Sequence, residues 1–387
     1  MTPKVADNQV DTAFASRSER PISTIATDID PEIVRKLTII WQELLGLAPI
    51  NPEQNYFDLG GDSLLAVKLF GQIEKTFNVE LPLATLFEAP TIAEMARLLA
   101  SRQPASGWSS LVPIQPGGSR PKFFCLHGAG GNVLIYRELA EYLGPDQPVF
   151  GLQSRGLDGN SPPHTRIEDM AQTYVQEIRR IQPFGPYYLG GYCLGGTIAY
   201  EMAQQLQSSG QKVALLALFD TMNWSRIEPL TIWDKALHST QRVIFHAANV
   251  LRSDAKGKIK FLREKIIATR QRIPVWRGLM VGKFQRNSAD LKSKSLALGK
   301  VWEANHLASM RYVPKPFDGV ITDFRPLKQY QLFKNPDLKW EQLAREGQRV
   351  FVLPVYPGGM LVEPFVRRMA SVLRQAIDTA QQNPASR

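Results

Sequence analysis

Apolar residues recur at helical spacing through the first hundred residues of the chain. They follow steps of three and four, as along one face of a helix, and predict four helical segments. The first segment begins at Pro31 after the cap residue Asp30, and the last begins at a capping box of Thr91 and Glu94. We therefore expect an all-α four-helix domain over residues 30–102.

Short, nearly continuous apolar runs replace this pattern from about residue 109 and alternate with amphipathic helices. Such runs are typical of parallel strands buried on both faces, so an α/β domain is expected over residues 109–380. Its functional side chains should lie where the strands end. The runs are Lys122–Leu126, Pro148–Leu152, Tyr187–Tyr192, Val213–Phe219, Gly319–Phe324 and Arg349–Val355.

Three stretches fall outside these two patterns. Residues 1–29 are rich in Ser, Thr, Asp and Pro without periodicity, which predicts a flexible tail. Residues 103–120 are rich in Pro and Gly and predict a linker. Residues 221–315 interrupt the strand order with basic, helical sequence beside the expected site, so we interpret them as a helical lid.

The charge of the chain is concentrated in this lid. The formal net charge is +10, and residues 221–312 hold 18 Lys and Arg against 6 Asp and Glu. A nucleic-acid or membrane contact is one interpretation, and a solvated helical segment is the other. We favour the second because the lysines alternate with apolar helix positions and no nucleic-acid motif is present.

Composition narrows the protein class further. No apolar run of about 18 residues occurs, so no membrane span is expected. The polar N-terminus lacks the apolar core of a secretory signal. The two cysteines, Cys125 and Cys193, do not form a disulfide framework, which favours a cytoplasmic location. No metal site is expected.

A first motif stands at the start of the second predicted helix, where Gly60-Gly61-Asp62-Ser63-Leu64 follows Asp58-Leu59. Helix capping by Asp62 or Ser63 would explain the polar residues alone. The whole segment also resembles the peptidyl carrier domains of nonribosomal peptide synthetases. The resemblance implies covalent 4'-phosphopantetheine on Ser63, attached by a phosphopantetheinyl transferase.

A second motif, Gly191-Tyr192-Cys193-Leu194-Gly195, fits the nucleophile elbow G-x-S-x-G with cysteine in place of serine. A strand that turns directly into a helix needs very small residues two positions before and after the nucleophile. The helix N-terminus beneath Cys193 should favour negative charge on its sulfur. An inert cysteine in a glycine-rich turn is the alternative.

Four motifs in order resemble the type I thioesterase domains of peptide and polyketide synthetases, which have the α/β-hydrolase fold. This resemblance implies Cys193 as nucleophile, Asp220 as acid, and an oxyanion hole formed by the N–H groups of Leu194 and Ala129. His127 is expected to be structural. The motifs are Phe124–Gly131, Gly190–Gly196, Leu218–Thr221 and Met360–Pro364.

The catalytic histidine of the thioesterase pattern is missing. Counting back from the last motif places Pro357 at its position, and no histidine follows His306. Three hypotheses remain open. The base is displaced to His306, His238 or His246; the cysteine acts through its own thiolate; or the domain is catalytically degenerate.

The combined prediction is a carrier–thioesterase didomain of secondary-metabolite biosynthesis. It would hold an acyl or peptidyl thioester on Ser63 and release or transfer it through Cys193. The alternative is a carrier fused to a degenerate thioesterase-like module that serves docking or scaffolding. Upstream peptide or polyketide synthetase modules are implied because the chain has no adenylation or condensation motif. Hydrolysis and cyclisation are not distinguished.

Overall fold

A computed structural model describes residues 30–101, 108–222, 228–229, 289–326, 333–334, 340–355 and 359–382. The expected tail, part of the expected linker and most of the expected lid lie outside these ranges. No helix within them combines the length and apolarity that a bilayer crossing needs.

Four helices form the N-terminal domain, as the apolar spacing predicts. The Asp30 carboxylate accepts a hydrogen bond from the Glu32 N–H group, and Thr91 and Glu94 form a complete capping box. These caps satisfy backbone donors that a helix leaves unpaired at its start. The helices are α1 (Pro31–Leu45), α2 (Ser63–Phe77), α3 (Thr85–Glu88) and α4 (Ile92–Ala100).

Aromatic packing holds this small domain together. Trp41 and Tyr56 are both almost fully buried, and their rings meet edge to face with centroids 5.3 Å apart. The preferred geometry of such a pair adds about 0.5–1.5 kcal/mol to the effect of burial. Tyr56 belongs to the loop between α1 and α2, so the same contact fixes the loop that carries the first motif.

The second domain is built on a seven-stranded sheet. The strands are β1 (Leu111–Gln115), β2 (Phe123–Leu126), β3 (Val149–Leu152), β4 (Tyr187–Tyr192), β5 (Val213–Phe219), β7 (Ile321–Pro326) and β9 (Gln348–Leu353). They lie in the order β1-β3-β2-β4-β5-β7-β9. Only the edge strand β1 is antiparallel to its neighbour; the other pairs are parallel. A separate antiparallel pair joins β6 (Glu228–Pro229) to β8 (Phe333–Lys334).

Helices cover both faces of this sheet. They are α5 (Arg137–Leu143), α6 (Ile167–Ile181), α7 (Leu194–Ser208), α8 (Ala289–Arg311) and α9 (Val366–Gln382), with 3₁₀ turns at Leu134–Tyr136 and Trp340–Gln342. Helices α6 and α7 pack on one face, and α5 and α9 pack on the other. The turn Leu134–Tyr136 directly precedes α5. This is the α/β-hydrolase fold, as expected.

Strand register brings three sequence motifs to one edge of the sheet. Strand β4 lies between β2 and β5, with Leu126 opposite Gly191 and Tyr192 opposite Phe219. The residues that follow these strands therefore gather where the strands end. Cys193 and Asp220 come from adjacent strands, as the position of ligand sites in parallel sheets predicts.

Candidate active site

Cys193 occupies the turn between β4 and α7 in a strained backbone conformation, with φ 54° and ψ −117°. Its N–H group donates to the Phe219 carbonyl at 2.9 Å, which ties the turn to the next strand. A Cβ atom at Gly191 would lie 2.2 Å from the Gly195 carbonyl carbon, and one at Gly195 would lie 2.1 Å from the Leu126 oxygen. Both glycines are therefore required by close backbone approach, which is the geometry of a nucleophile elbow.

The surroundings of Cys193 disfavour its thiolate. Burial and the nearby negative charge of Asp220 raise the pKa of the thiol to about 11, and the Leu194 N–H group opposes this shift only in part. At neutral pH the sulfur is therefore protonated. The helix N-terminus does not by itself produce the thiolate that the elbow sequence led us to expect.

Asp220 directly follows β5, and its carboxyl group is almost fully buried. Its backbone adopts a left-handed conformation, with φ 46°, while its N–H group donates to the Phe324 carbonyl at 2.9 Å. Burial, reinforced by the charge of Asp323, raises the pKa of Asp220 to about 6. The side chain can thus exchange a proton near neutral pH.

Asp323 is a charged residue that the sequence reasoning missed. It lies inside β7 and is fully buried; Arg325 Nε donates to it at 2.5 Å and Gln348 Nε2 at 2.9 Å. Burial raises the pKa of Asp323 despite the opposing effect of Arg325. A single acidic residue within an apolar strand run was the available signal, but only the pairing of β5 with β7 brings it close to Asp220.

The loop with the second expected oxyanion donor is held by the helix that leads out of the lid. Asn305 of α8 is fully buried, and its Nδ2 atom donates to the Ala129 carbonyl at 3.1 Å. On the same loop, the Gly131 carbonyl accepts a hydrogen bond from the Ser154 N–H group at 2.8 Å. These two bonds fix the backbone around Ala129. Sequence reasoning did not single out Asn305.

Among the described residues, His127 and His306 are the histidines that the sequence analysis assigned a role or a candidate role. His127 is fully buried, and its ring nitrogens lie 2.7 Å from the Gly128 carbonyl oxygen and 2.7 Å from the Tyr174 hydroxyl. Burial lowers the pKa of His127 to about 4, so this residue is neutral and structural. The ring of His306 stacks on that of Trp302, whose side chain is 52% exposed.

Two other candidate bases, His238 and His246, lie outside the described residues, as does Pro357, which stands at the expected position of the histidine. The described residues contain no group of three or more His, Cys, Asp or Glu that could hold a metal ion. The structure therefore brings Cys193 and Asp220 together, and the buried carboxyl group of Asp323 acts on Asp220.

In the N-terminal domain, the loop before α2 is tightly organised around Tyr56. The Asp62 carboxylate accepts from the Leu65 N–H group at 2.8 Å, so Asp62 caps α2. The Tyr56 hydroxyl donates to the Asp62 carbonyl at 3.0 Å, and a Cβ atom at Gly61 would lie 2.3 Å from the Tyr56 ring. Ser63 is the first residue of α2, at the end where the helix dipole favours an anion.

Two family models match the chain in succession. The model for the phosphopantetheine attachment site matches residues 35–99, which contain the loop around Tyr56 and Ser63. The model for the thioesterase domain matches residues 121–251, which contain the elbow and Asp220.

Peptide synthetases are among the curated proteins and solved structures similar to this chain. Malpibaldin synthetase from Mortierella alpina is 42% identical over 225 residues, which cover 57% of this chain and 4% of the synthetase. A dimodular nonribosomal peptide synthase from Bacillus subtilis is 41% identical over 181 residues, or 47% of this chain and 8% of the synthase. The chain thus spans less than a tenth of these relatives. A crystal structure of a four-domain nonribosomal peptide synthetase matches 94% of this chain and 27% of its own, with 24% identity and a TM-score of 0.54, which supports the fold.

Proposed function

The chain joins a phosphopantetheine attachment domain to a thioesterase domain, and we propose that it accepts an acyl or peptidyl thioester on the first and transfers it to Cys193 of the second. The observation that carries this proposal is the elbow. Cys193 stands between a strand and a helix N-terminus, and the Leu194 N–H group is directed to its sulfur. That arrangement suits attack on a carbonyl carbon.

The loop before α2 fits the attachment of 4'-phosphopantetheine. Asp62 already caps the helix, so capping does not require the Ser63 hydroxyl. The N-terminus of the 15-residue helix α2 favours the negative charge of a phosphodiester at Ser63. When bound, the group supplies a flexible arm whose terminal thiol holds the acyl chain as a thioester.

Cys193 would then exchange one thioester for another. Its sulfur attacks the carbonyl carbon, and the N–H groups of Leu194 and Ala129 stabilise the oxygen that becomes negative. The acyl carbon would part from its former thiol, which would take up the proton lost by Cys193. The exchange is close to thermoneutral because a thioester is both consumed and formed.

Release of the acyl group should be the slow step. Water, or a nucleophile within the acyl chain, attacks the carbonyl carbon, and Cys193 leaves and regains a proton. An imidazole normally assists this attack, but Pro357 stands at its position in the sequence pattern. We therefore expect acylated Cys193 to accumulate.

A second candidate function is docking or scaffolding by a degenerate thioesterase module. The specific observation in its favour is the pKa of Cys193, which burial and Asp220 raise to about 11. A protonated thiol is a poor nucleophile, so transfer could be too slow to matter.

Intact-protein mass spectrometry tests the two candidates. Ser63 is loaded by a phosphopantetheinyl transferase with a range of acyl-pantetheine groups, and the acyl mass is followed over time and assigned by peptide mapping. The proposal expects the acyl group on Cys193 in the unaltered chain, only on Ser63 in Cys193→Ala, and nowhere in Ser63→Ala. An acyl group that never leaves Ser63 with any substrate would support the scaffold instead.

The proposal also implies partners and a location. A phosphopantetheinyl transferase must modify Ser63, and upstream peptide or polyketide synthetase modules must supply the acyl or peptidyl chain. The chemistry needs Cys193 as a free thiol, which fits the cytoplasmic location expected from the sequence.

A further inference from the structure

The 3₁₀ turn Leu134–Tyr136 lies where the two domains meet. Leu134 belongs to the sheet domain by sequence, but its buried side chain packs in the hydrophobic cluster of the carrier domain. Phe87 of the carrier packs against this cluster and also against the cluster beneath α5 and α9. Helix α2 of the carrier lies beside α8. The described residues of the two domains therefore share an apolar interface.

Arg137, the next residue after the turn, binds the carrier through an aromatic ring. Its guanidinium carbon lies 4.5 Å from the centroid of the Phe57 ring, the geometry of a cation–π contact. Phe57 in turn meets Tyr56 edge to face, with centroids 5.3 Å apart. The Tyr56 hydroxyl donates to the Asp62 carbonyl, one residue before Ser63. A continuous line of contacts thus joins Arg137 to the attachment loop.

Tyr136, immediately before Arg137, points into the sheet domain. Its fully buried hydroxyl donates to the Leu126 carbonyl at 2.6 Å and accepts from the Tyr192 N–H group at 2.9 Å. Leu126 directly precedes the loop that contains Ala129, and Tyr192 directly precedes Cys193. The backbone before each half of the oxyanion hole is therefore held by one hydroxyl group.

Two adjacent residues of one short segment are thus linked, one through Phe57 to the attachment loop and the other to the backbone before the elbow. We propose that the surface formed by Leu134 and Arg137 is the docking site for the chain's own carrier domain, and that Tyr136 is a positioning residue through which docking orders the nucleophile elbow. The docking site does not depend on the proposed function. Any effect of docking on acyl transfer to Cys193 does rest on the proposed function.

The composition of the interface suits reversible docking. In the described part of the chain it combines the Arg137–Phe57 cation–π contact with a few apolar side chains, and interfaces between domains of one chain resemble transient protein–protein interfaces. A carrier that serves upstream modules and a thioesterase in turn must leave each of them. Tight, extensive apolar burial would prevent this exchange.

Nuclear magnetic resonance relaxation of backbone amides in the full chain tests docking without any chemistry. A docked carrier tumbles with the whole 387-residue chain, and a released carrier tumbles as a small domain. Arg137→Ala should weaken docking about two- to fivefold, and the carrier-side double variant Phe57→Ala/Phe87→Ala about tenfold or more. Arg180→Ala, an exposed arginine paired with Glu177 on α6, is the matched control and should change nothing.

Independent tumbling of the carrier in the unaltered chain would overturn the docking site. Modification of Ser63 by a phosphopantetheinyl transferase shows that each carrier variant is folded.

Alkylation of Cys193 by iodoacetamide tests the role of Tyr136. Because the double variant changes only carrier residues, it can affect Cys193 only through docking. We expect it to raise the alkylation rate about two- to fivefold, since a released turn loosens the elbow. In a Tyr136→Phe background the same double variant should change the rate less than about 1.5-fold, because the hydroxyl link is absent. Phe184→Ala, which removes a phenylalanine that is 73% exposed, is the control.

An equal effect of the double variant in both backgrounds would overturn the positioning role, because docking would then reach Cys193 by another route. Both readouts are independent of acyl transfer. Failure of transfer in the mass-spectrometric experiment, with docking intact, would reject the proposed function and leave the docking site standing.

Discussion

The ionisation of Cys193 gives the sharpest test of the active-site chemistry. The pKa of about 11 leaves roughly one thiolate in a thousand sulfurs at about pH 8, against about one in ten for the ordinary value of 9.0. This hundredfold lower thiolate fraction corresponds to about 2.7 kcal/mol in the free energy of ionising the thiol. A more basic thiolate is also intrinsically more nucleophilic, with a Brønsted coefficient of about 0.4–0.5. The net expectation is alkylation about tenfold slower than for an ordinary cysteine.

The assay measures the rate of Cys193 alkylation by iodoacetamide between about pH 6.5 and 9.5. The logarithm of the rate should rise by about one per pH unit without a plateau, because the sulfur stays mostly protonated over this range. Cys125 is fully buried in β2, and Cys193→Ala supplies the background rate. Asp220→Asn removes a negative charge that disfavours the thiolate, so it should increase the rate at every pH in the range.

A plateau that begins below about pH 8 would refute this reasoning. It would mean that a cation stabilises the thiolate, as an imidazolium does in cysteine enzymes. The hypothesis of a displaced histidine base would then be favoured. A decrease in rate on Asp220→Asn would also contradict the electrostatic argument, because it would show that Asp220 helps to ionise the sulfur.

Three further predictions concern residues around the site. Asp220→Asn should raise the free energy of unfolding by up to about 3 kcal/mol at pH 7, measured by denaturant unfolding. The folded-state pKa of Asp220, about 6, exceeds the ordinary 3.8, so the ionised carboxylate destabilises the folded state. This gain should shrink as the pH falls from 6 to 4, and a gain that stays constant would contradict the argument. Gly195→Ala should destabilise the protein by more than about 2 kcal/mol, because the added Cβ would lie 2.1 Å from the Leu126 oxygen. The control Gly299→Ala in α8 meets no atom within 4 Å and should be neutral or stabilise by up to about 1 kcal/mol. Similar unfolding midpoints for the two variants would count against the elbow geometry. Asn305→Asp replaces the amide donor to the Ala129 carbonyl by a carboxylate oxygen. It should slow acyl transfer to Cys193 about tenfold without affecting phosphopantetheine attachment to Ser63. Unchanged transfer would show that the bond from Asn305 does not position the loop that contains Ala129.

Local rules made much of the fold predictable from the sequence. The capping box of Thr91 and Glu94 and the cap at Asp30 act within a few residues, so the helix starts they predict are present in the structure. The glycines of the elbow are required by backbone approach within a single strand-to-helix turn, and the structure shows this approach at Gly191 and Gly195. The apolar strand runs likewise indicated a parallel sheet because burial on both faces leaves few polar positions.

The active-site environment was harder to predict because it depends on which distant residues meet. Asp323 lies about a hundred positions after Asp220 and reaches its vicinity only because β5 pairs with β7. Asn305 reaches the Ala129 loop only because α8 packs against it. Neither residue belongs to a motif, so neither had a signal in the sequence strong enough to assign it a role.

The sequence by itself determined the two domains, the elbow and the absence of a histidine after His306, since each is a local pattern or a count. Tertiary structure decided the ionisation of Cys193. The sequence indicated a helix N-terminus that favours the thiolate, and that helix is present. Its effect is outweighed by burial and by Asp220, because desolvation and charge act through space and depend on the packing of the sheet.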